Sequence, residues 1–212
     1  MSCKTYDILR WARRVALLVA VCFLLGQADA LRAATDPLSQ LKASVDKVLA
    51  VLKDEKLAGS EMRETRRQQV ESLVDAIFDF QEMGKRALGR TWDKLAPAEK
   101  EEYVNLFTRL VKQRYIGKID SYSGQEIVFK RQVLKGKSAL VYSVLLDNNT
   151  EIPIDYRLVL RNDLWAAYDL RIENVSLVSN YRRDFASIVK KNGVAGLLKK
   201  MNDKVEQLEA DH

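Results

Sequence analysis

ALVYSVLLDNNTEIPIDYRLVL, residues 139–160 of this 212-residue chain, is the clearest indication of its fold. Two short segments rich in Val, Leu, Ile and Tyr, 139–146 and 152–160, flank the turn-forming triplet Asp147-Asn148-Asn149. In the second segment apolar and charged side chains alternate, as in a β-strand with one buried face. In the first segment both sets are largely apolar, so this strand should lie centrally in a sheet. The stretch therefore predicts an antiparallel hairpin.

Three further segments of the same kind surround this hairpin and are separated by turn-like sequences. They are short and close together, without an intervening helical period, which favours an antiparallel meander over a parallel sheet. The predicted strands are, in order, 126–134, 139–146, 152–160, 164–170 and 172–178.

The regions on either side of the meander have the three-to-four-residue apolar spacing of helices. Asp36-Pro37 is typical of an N-cap followed by the first helical residue, and Pro97 with acidic residues after it opens another helix. We predict helices from Pro37 to Leu52, over 70–87, from Pro97 to Val111, over 181–189 and over 194–208. Helices, then a sheet, then helices make the fold class α+β.

The composition excludes several classes of function. The chain has 35 Lys and Arg against 29 Asp and Glu, a net charge of +6, with 47% hydrophobic and 30% charged residues. These values are ordinary for a folded soluble domain. The only His is His212 and the only Cys are Cys3 and Cys22, which excludes mechanisms needing an internal imidazole or a zinc-type His/Cys cluster. Basic segments without interleaved aromatic residues argue against a nucleic-acid partner.

The first thirty residues have the organisation of an export signal. A basic segment ending at Arg14 precedes an unbroken apolar run from Val15 to Leu25, and Ala28-Asp29-Ala30 is a small-x-small cleavage site. The apolar run is shorter than the about 20 residues that a spanning helix requires. We therefore expect residues 1–30 to be a cleaved signal peptide and residues 31–212 to form a single domain in the periplasm. An uncleaved N-terminal anchor is the alternative.

Large apolar side chains recur on the predicted helices and strands at positions that would face one another. Ordinary core packing and a ligand cavity both account for this pattern, because a sequence does not show whether facing side chains meet or leave a gap. The residues concerned are Phe80, Met83, Phe107, Leu110, Tyr142, Val144, Tyr156, Leu158 and Trp165.

Two carboxylates in the sheet region, Asp155 and Asp169, lie near tyrosines. A carboxylate beside a tyrosine in an apolar hollow could transfer protons, as in small isomerases. Asp155 alternates with Tyr156 along one predicted strand, however, so the two side chains should face opposite sides and Asp155 should face solvent. We therefore favour structural roles for these groups.

Several motifs, in order and at matching spacing, resemble one known family. They include Ala87-Leu88-Gly89-Arg90-Thr91-Trp92, Ile152-Pro153-Ile154-Asp155-Tyr156-Arg157-Leu158 and, as the most specific piece, Val175-Ser176-Leu177-Val178-Ser179-Asn180-Tyr181-Arg182. The resemblance spans about residues 36–200. The chain is similar to MlaC, also called the toluene-tolerance family, the periplasmic phospholipid-binding component of the Mla (maintenance of lipid asymmetry) transport system.

This resemblance implies a curved, NTF2-like antiparallel sheet with helices on its concave side, enclosing an apolar cavity for lipid acyl chains. It adds Leu177, Tyr181 and Phe185 near the cavity mouth to the candidate residues. It implies a phospholipid as cargo, and no cofactor, metal or catalytic residue. The implied partners of the monomer are an inner-membrane ABC transporter with its substrate-binding ring and an outer-membrane lipoprotein–porin complex. The implied role is maintenance of outer-membrane lipid asymmetry.

Two positions depart from the family pattern, and two other functions stay open. Ala96 stands where Ser or Thr would cap the helix that Pro97 opens, and Asn174 stands where Gly is usual. A periplasmic chaperone for outer-membrane proteins would bind peptides broadly and hold no stoichiometric lipid. An NTF2-like enzyme would use Asp155 or Asp169 with a tyrosine and lose turnover when the carboxylate is replaced.

Overall fold

A five-stranded antiparallel meander forms one layer of the protein, as the hairpin sequence predicts. The computed structural model describes residues 36–148 and 150–211. The strands pair in chain order and are β1 (Glu126–Lys135), β2 (Ser138–Asp147), β3 (Thr150–Arg161), β4 (Leu164–Ile172) and β5 (Val175–Ser176). The predicted signal peptide, residues 1–30, lies outside the described residues.

The register of β2 and β3 defines the two faces of the sheet. Val141 pairs with Tyr156, and both side chains are buried on the face that carries the helices, which we call the inner face. Tyr142 pairs with Asp155, and both side chains lie on the opposite, outer face. β2 is an internal strand flanked by β1 and β3, although the strand at the centre of the sheet is β3.

Five α-helices accompany the sheet in the described ranges, and those that begin at Pro37 and Pro97 begin where the sequence predicts. The Asp36 carboxylate accepts a hydrogen bond from the Ser39 amide at 3.0 Å, and Pro37 is the first helical residue. This N-cap is the one that the sequence predicts. The helices are α1 (Pro37–Lys53), α2 (Arg63–Ile77), α3 (Phe80–Leu88), α4 (Pro97–Asp120) and α5 (Leu177–Ala210).

The helix predicted over 70–87 is in fact two helices, because Phe78 and Asp79 are not helical. Phe78 is extended and forms a parallel bridge with Ala167 of β4. The Asp79 amide donates to the Ala167 carbonyl at 2.8 Å, and the Asp79 carboxylate caps α3 by accepting from the Glu82 amide. The apolar period runs through this break, so periodicity alone does not reveal it.

The strand predicted over 172–178 is also shorter than expected, since Ile172 ends β4 and only Val175–Ser176 forms a separate strand. The Ser176 hydroxyl accepts from the Ser179 amide and caps α5, and the Asp169 carboxylate accepts from the Val178 amide at 3.1 Å. These bonds satisfy two of the amides that a helix N-terminus leaves free. The apolar residues Leu177 and Val178 therefore belong to the helix.

The two helices predicted over 181–189 and 194–208 join in α5, which is interrupted at Gly193. Gly193 has φ +69° and ψ −174°, a conformation that glycine adopts without a side-chain clash. The interruption explains why the sequence pattern contains two apolar runs.

Apolar side chains form two separate cores. The helical core lies between α3, α4 and α5 and is centred on the fully buried Tyr103, Phe107 and Leu197. The sheet core lies between the inner face of the sheet and α1 and includes Val141 and Leu158. Helices on one side of an antiparallel sheet confirm the α+β prediction.

Within the described ranges, none of the helices combines the length and the apolar character needed to cross a membrane.

Replacing Ala96 with serine should stabilise the protein. The Ala96 carbonyl already accepts from the Lys100 amide, and its amide donates to the Glu99 carboxylate at 2.8 Å, which is half of a capping box. A serine hydroxyl would add the missing half, so we expect Ala96→Ser to raise the free energy of unfolding by about 1 kcal/mol in urea titrations. Ala98→Ser, inside the first turn, is the control and should bring no gain. Equal effects of the two substitutions would contradict the capping argument.

Candidate functional site

A large cavity lies along the seam between the helical core and the sheet core. It has two lobes of about 350 Å³ and about 550 Å³, each within the usual range for ligand sites of about 300–1,000 Å³. We call them the helix lobe and the sheet lobe. They are contiguous because they share lining residues. These come from α1, α2, α4, β1, β4 and the connection between α2 and α3, and they are Val48, Leu52, Val74, Phe78, Tyr115, Ile127 and Leu170.

The wall of the helix lobe is almost entirely apolar, and that of the sheet lobe is largely apolar but also includes Ser121, Gln125, Asp147 and Glu173. Val48 and Leu52 lie one turn apart on α1, so the same apolar stripe faces the cavity. Ile154 and Tyr156 alternate with outward-facing residues of β3 and line the sheet lobe. Because the two cores do not meet along this line, the apolar surfaces that would close a continuous core face a gap instead.

A smaller, more polar compartment of about 240 Å³ adjoins the two lobes. We call it the vestibule. It shares Tyr115 and Leu170 with both lobes and Leu177 with the helix lobe, so the three spaces meet at these side chains. Its polar lining comes from α4 and the first turns of α5 and consists of Arg114, Asn180, Tyr181 and Asp184.

Tyr181 has the only unsatisfied hydroxyl among the buried side-chain polar groups of the described residues. The residue is 8% exposed, and its hydroxyl makes no hydrogen bond of normal geometry within the described part of the chain, although the Arg114 side chain is close enough to interact with its oxygen. Burial raises the pKa of Tyr181, and the nearby Arg114 guanidinium acts in the opposite direction. The hydroxyl is therefore protonated at neutral pH and faces a compartment large enough for a polar ligand group.

Five of the twelve residues predicted from the sequence line these spaces. Phe80 and Met83 line the helix lobe, Tyr156 lines the sheet lobe, Tyr181 lines the vestibule, and Leu177 lines both the helix lobe and the vestibule. The structure brings these residues from α3, β3 and α5 to one connected surface. Their contact with a ligand stays a prediction.

Five other predicted residues lie within the cores rather than on the cavity wall. Phe107, Leu110 and Phe185 belong to the helical core, and Leu158 and Trp165 belong to the sheet core. Phe107 and Phe185 pack edge to face at 6.3 Å between ring centroids, which leaves no gap between them. For these five, ordinary core packing is the interpretation that the structure favours.

The prediction that Tyr142 and Val144 face the cavity needs correction, because both lie on the outer face of the sheet. The Arg131 guanidinium lies 3.7 Å from the centre of the Tyr142 ring, and Tyr142 pairs with Asp155 across β2 and β3. Both alternating sets of β2 are apolar, so its own pattern does not identify the inward set. The hairpin register does, since Tyr142 falls opposite a carboxylate.

The most central cavity residues were not among the predicted ones. Tyr115 and Leu170 each line all three spaces, and Val74 and Ile127 line both lobes. The apolar periods of α2, β1 and β4 do include Val74, Ile127 and Leu170. What the sequence lacks is any sign that these stripes border a gap rather than a packed core.

The carboxylates that could have served an enzyme have structural partners. Asp169 is 2% exposed and accepts from the Ser176 hydroxyl at 2.7 Å and from the Val178 amide. Asp155 lies on the outer face, as predicted, but it is buried to 8% exposure rather than facing solvent, with Arg171 3.6 Å away. Asp155 and Tyr156 lie on opposite faces of β3, so they share no pocket.

The comparison with known proteins agrees with this geometry. The family profile for MlaC protein matches residues 42–203, which is more than half of the chain. The chain belongs to the MlaC family. The resemblance stated from the motifs is thereby confirmed.

One curated relative and one solved structure extend the comparison. The intermembrane phospholipid transport system binding protein MlaC of Haemophilus influenzae is 22% identical over 130 residues, which cover 58% of this chain and 61% of that protein. The match thus spans less than two thirds of the relative's length. A phospholipid-binding protein from Ralstonia solanacearum, solved in complex with a phospholipid, has a TM-score of 0.73 and 27% identity. That match covers 82% of this chain and 99% of the other.

The buried tyrosines of this MlaC-family chain should make it sensitive to alkali. Burial raises the pKa values of Tyr103, Tyr156 and Tyr181 above the ordinary value near 10. Burial of these three tyrosines imposes no cost of ionisation on the folded protein below pH 10. Above pH 10 the unfolded chain releases phenol protons that the folded chain retains, so the folded state loses stability relative to the unfolded state. We expect the free energy of unfolding to fall by about 1.4 kcal/mol per pH unit above 10 for each such tyrosine.

Tyrosinate absorbance and urea titrations at pH 9 to 11 measure this effect. Tyr103→Phe should reduce the slope of stability against pH, since it removes one of the three groups. Ionisation of every tyrosine near pH 10 without unfolding would contradict the burial argument.

Proposed function

We propose that this chain is a phospholipid carrier that holds the acyl chains of one lipid in the two apolar lobes. The observation that carries the proposal is the contiguous apolar cavity, which adjoins a polar vestibule instead of closing into core. An amphiphile has the matching division into long apolar chains and a polar end. Phe80, Met83, Tyr156, Leu177 and Tyr181 are the predicted residues that would contact it.

Burial of acyl chains explains how such a carrier retains its cargo without a covalent bond or a metal. Each buried CH₂ group contributes about 0.8 kcal/mol, so chains of ordinary length are held strongly. The same free energy opposes spontaneous release. Delivery therefore requires a contact at a membrane complex that favours a more open state of the cavity.

The location and partners that we propose follow from the family and from the export signal. The chain would be exported by residues 1–30 and act as a periplasmic monomer. It would exchange lipid between an outer-membrane lipoprotein–porin complex and an inner-membrane ABC transporter with its substrate-binding ring. This traffic would maintain outer-membrane lipid asymmetry, and it involves neither a nucleic acid nor covalent catalysis.

Native mass spectrometry of the protein expressed with its first thirty residues tests the proposal. We expect a protein component that begins at Leu31, carrying a near-stoichiometric adduct of phospholipid mass that is lost on denaturation. Lipid extraction would then identify the cargo class. Lipid-free protein that also takes up no phospholipid from vesicles would overturn the proposal. Broad binding of unfolded outer-membrane proteins would then favour a chaperone.

Filling the centre of the cavity should exclude the lipid. Leu170 borders both lobes and the vestibule, so Leu170→Trp places added bulk where the three spaces meet. We expect at least a tenfold loss of phospholipid occupancy in the same mass spectrometry.

Val144→Trp is the matched control, because it adds the same ring to the same sheet on the outer face. It should remain loaded with lipid, and circular dichroism should show that both variants are folded. Equal occupancy in the two variants would contradict the assignment of the seam as the lipid site.

A further inference from the structure

We infer that the Tyr181 hydroxyl and the Arg114 guanidinium bind a phosphate oxygen of the carried phospholipid. This inference rests on the proposed function and deepens it, since it assigns the polar end of the cargo to a stated place. The apolar lobes would accommodate the acyl chains, but they do not explain why the buried Tyr181 hydroxyl at their border has no acceptor for its proton.

The first argument is the contrast between two buried tyrosines of the same aromatic cluster. The Tyr103 hydroxyl donates to the Gly84 carbonyl at 2.9 Å, whereas the Tyr181 hydroxyl makes no hydrogen bond of normal geometry among the described residues. The Arg114 guanidinium beside it can donate to its oxygen but cannot accept its proton. Both rings pack against Phe107, at 6.0 Å and 5.4 Å between centroids. A buried donor without an acceptor is unfavourable, so its retention at a cavity wall indicates a ligand that supplies the acceptor.

The second argument is position. Tyr181 lines the vestibule together with Leu170 and Leu177, which also border the lobes proposed for the acyl chains. In a phospholipid the phosphate lies next to the apolar part of the molecule. A lipid whose chains fill the lobes therefore carries its phosphate into the vestibule.

The third argument is charge and protonation. Because burial raises the pKa of Tyr181, its hydroxyl is a hydrogen-bond donor at neutral pH. Arg114 supplies a positive charge and several donors to the same compartment, and such charge-assisted bonds to phosphate are strong. Asp184 lines the vestibule too, and its negative charge disfavours headgroups with a second negative charge.

Transfer from the loaded full-length mature protein to acceptor vesicles tests the inference. Two fluorescent probes with identical acyl chains are compared, a phosphatidylethanolamine and a diacylglycerol, which lacks the phosphate. We expect Tyr181→Phe to release the phosphatidylethanolamine about ten- to a hundredfold faster than wild type, and the diacylglycerol at the wild-type rate. Arg114→Gln should likewise speed the release of the phosphatidylethanolamine and leave the release of the diacylglycerol at the wild-type rate.

Matched variants separate this role from a structural one. Tyr181→Phe removes a hydroxyl without an acceptor, so the melting temperature of the lipid-free protein should not fall. Tyr103→Phe removes a satisfied hydrogen bond, so it should lower that temperature. Arg109→Gln, on α4 but paired with Glu209 away from the vestibule, should leave both release rates unchanged.

Unchanged phosphatidylethanolamine release from Tyr181→Phe would overturn the inference while the proposed function stands. Equally faster release of both probes would also overturn the inference, because the hydroxyl would then contact the glycerol or acyl chains that the two lipids share and not the phosphate. Wild-type protein that takes up neither probe would overturn the proposed function and this inference together.

Discussion

Two helices are attached to a single strand, β4, and this attachment determines where the helical core lies against the sheet. The Asp79 amide donates to the Ala167 carbonyl of β4, and the Asp169 carboxylate accepts from the first turn of α5. These bonds hold α3 and α5 against one part of the sheet, and both helices pack into the helical core. The helix α1 lies against the inner faces of β1, β2 and β4. A seam therefore runs between the two cores, which meet at Phe78.

Because of the seam, the apolar faces of ordinary amphipathic elements line a cavity. The apolar residues of α1, α2 and the inner sheet face are of the types that usually fill a core. Space remains between these elements because the helical core is separate from the sheet core. Dense interiors tolerate few voids, so a cavity of several hundred Å³ needs rigid walls on both sides. The aromatic cluster around Phe107 and the paired strands supply those walls.

Much of the fold follows from the sequence, whereas the cavity does not. The hairpin turn, the N-cap at Asp36, the helix start at Pro97 and the apolar periods predict nearly every element, because these are local signals. The breaks at Phe78 and Val178 escape prediction because bonds to β4 create them. Tyr142 and Val144 illustrate the other limit, since a period of two separates the faces of a strand without saying which face the helices cover. Five of the predicted residues do reach the cavity because they lie on the stripes that border the seam.

The division between apolar lobes and a polar vestibule separates retention from selectivity. The free energy of burying methylene groups depends on the buried area and hardly on the headgroup, so the apolar lobes would hold many lipids with similar strength. Hydrogen bonds to a buried donor depend on geometry and charge, and they discriminate because an unmatched partner stays unsatisfied. A passive carrier of the kind proposed above would set no direction of transport by itself. Direction would have to come from the proposed partner complexes, since a ligand or partner shifts an equilibrium only by its differential affinity for the two states.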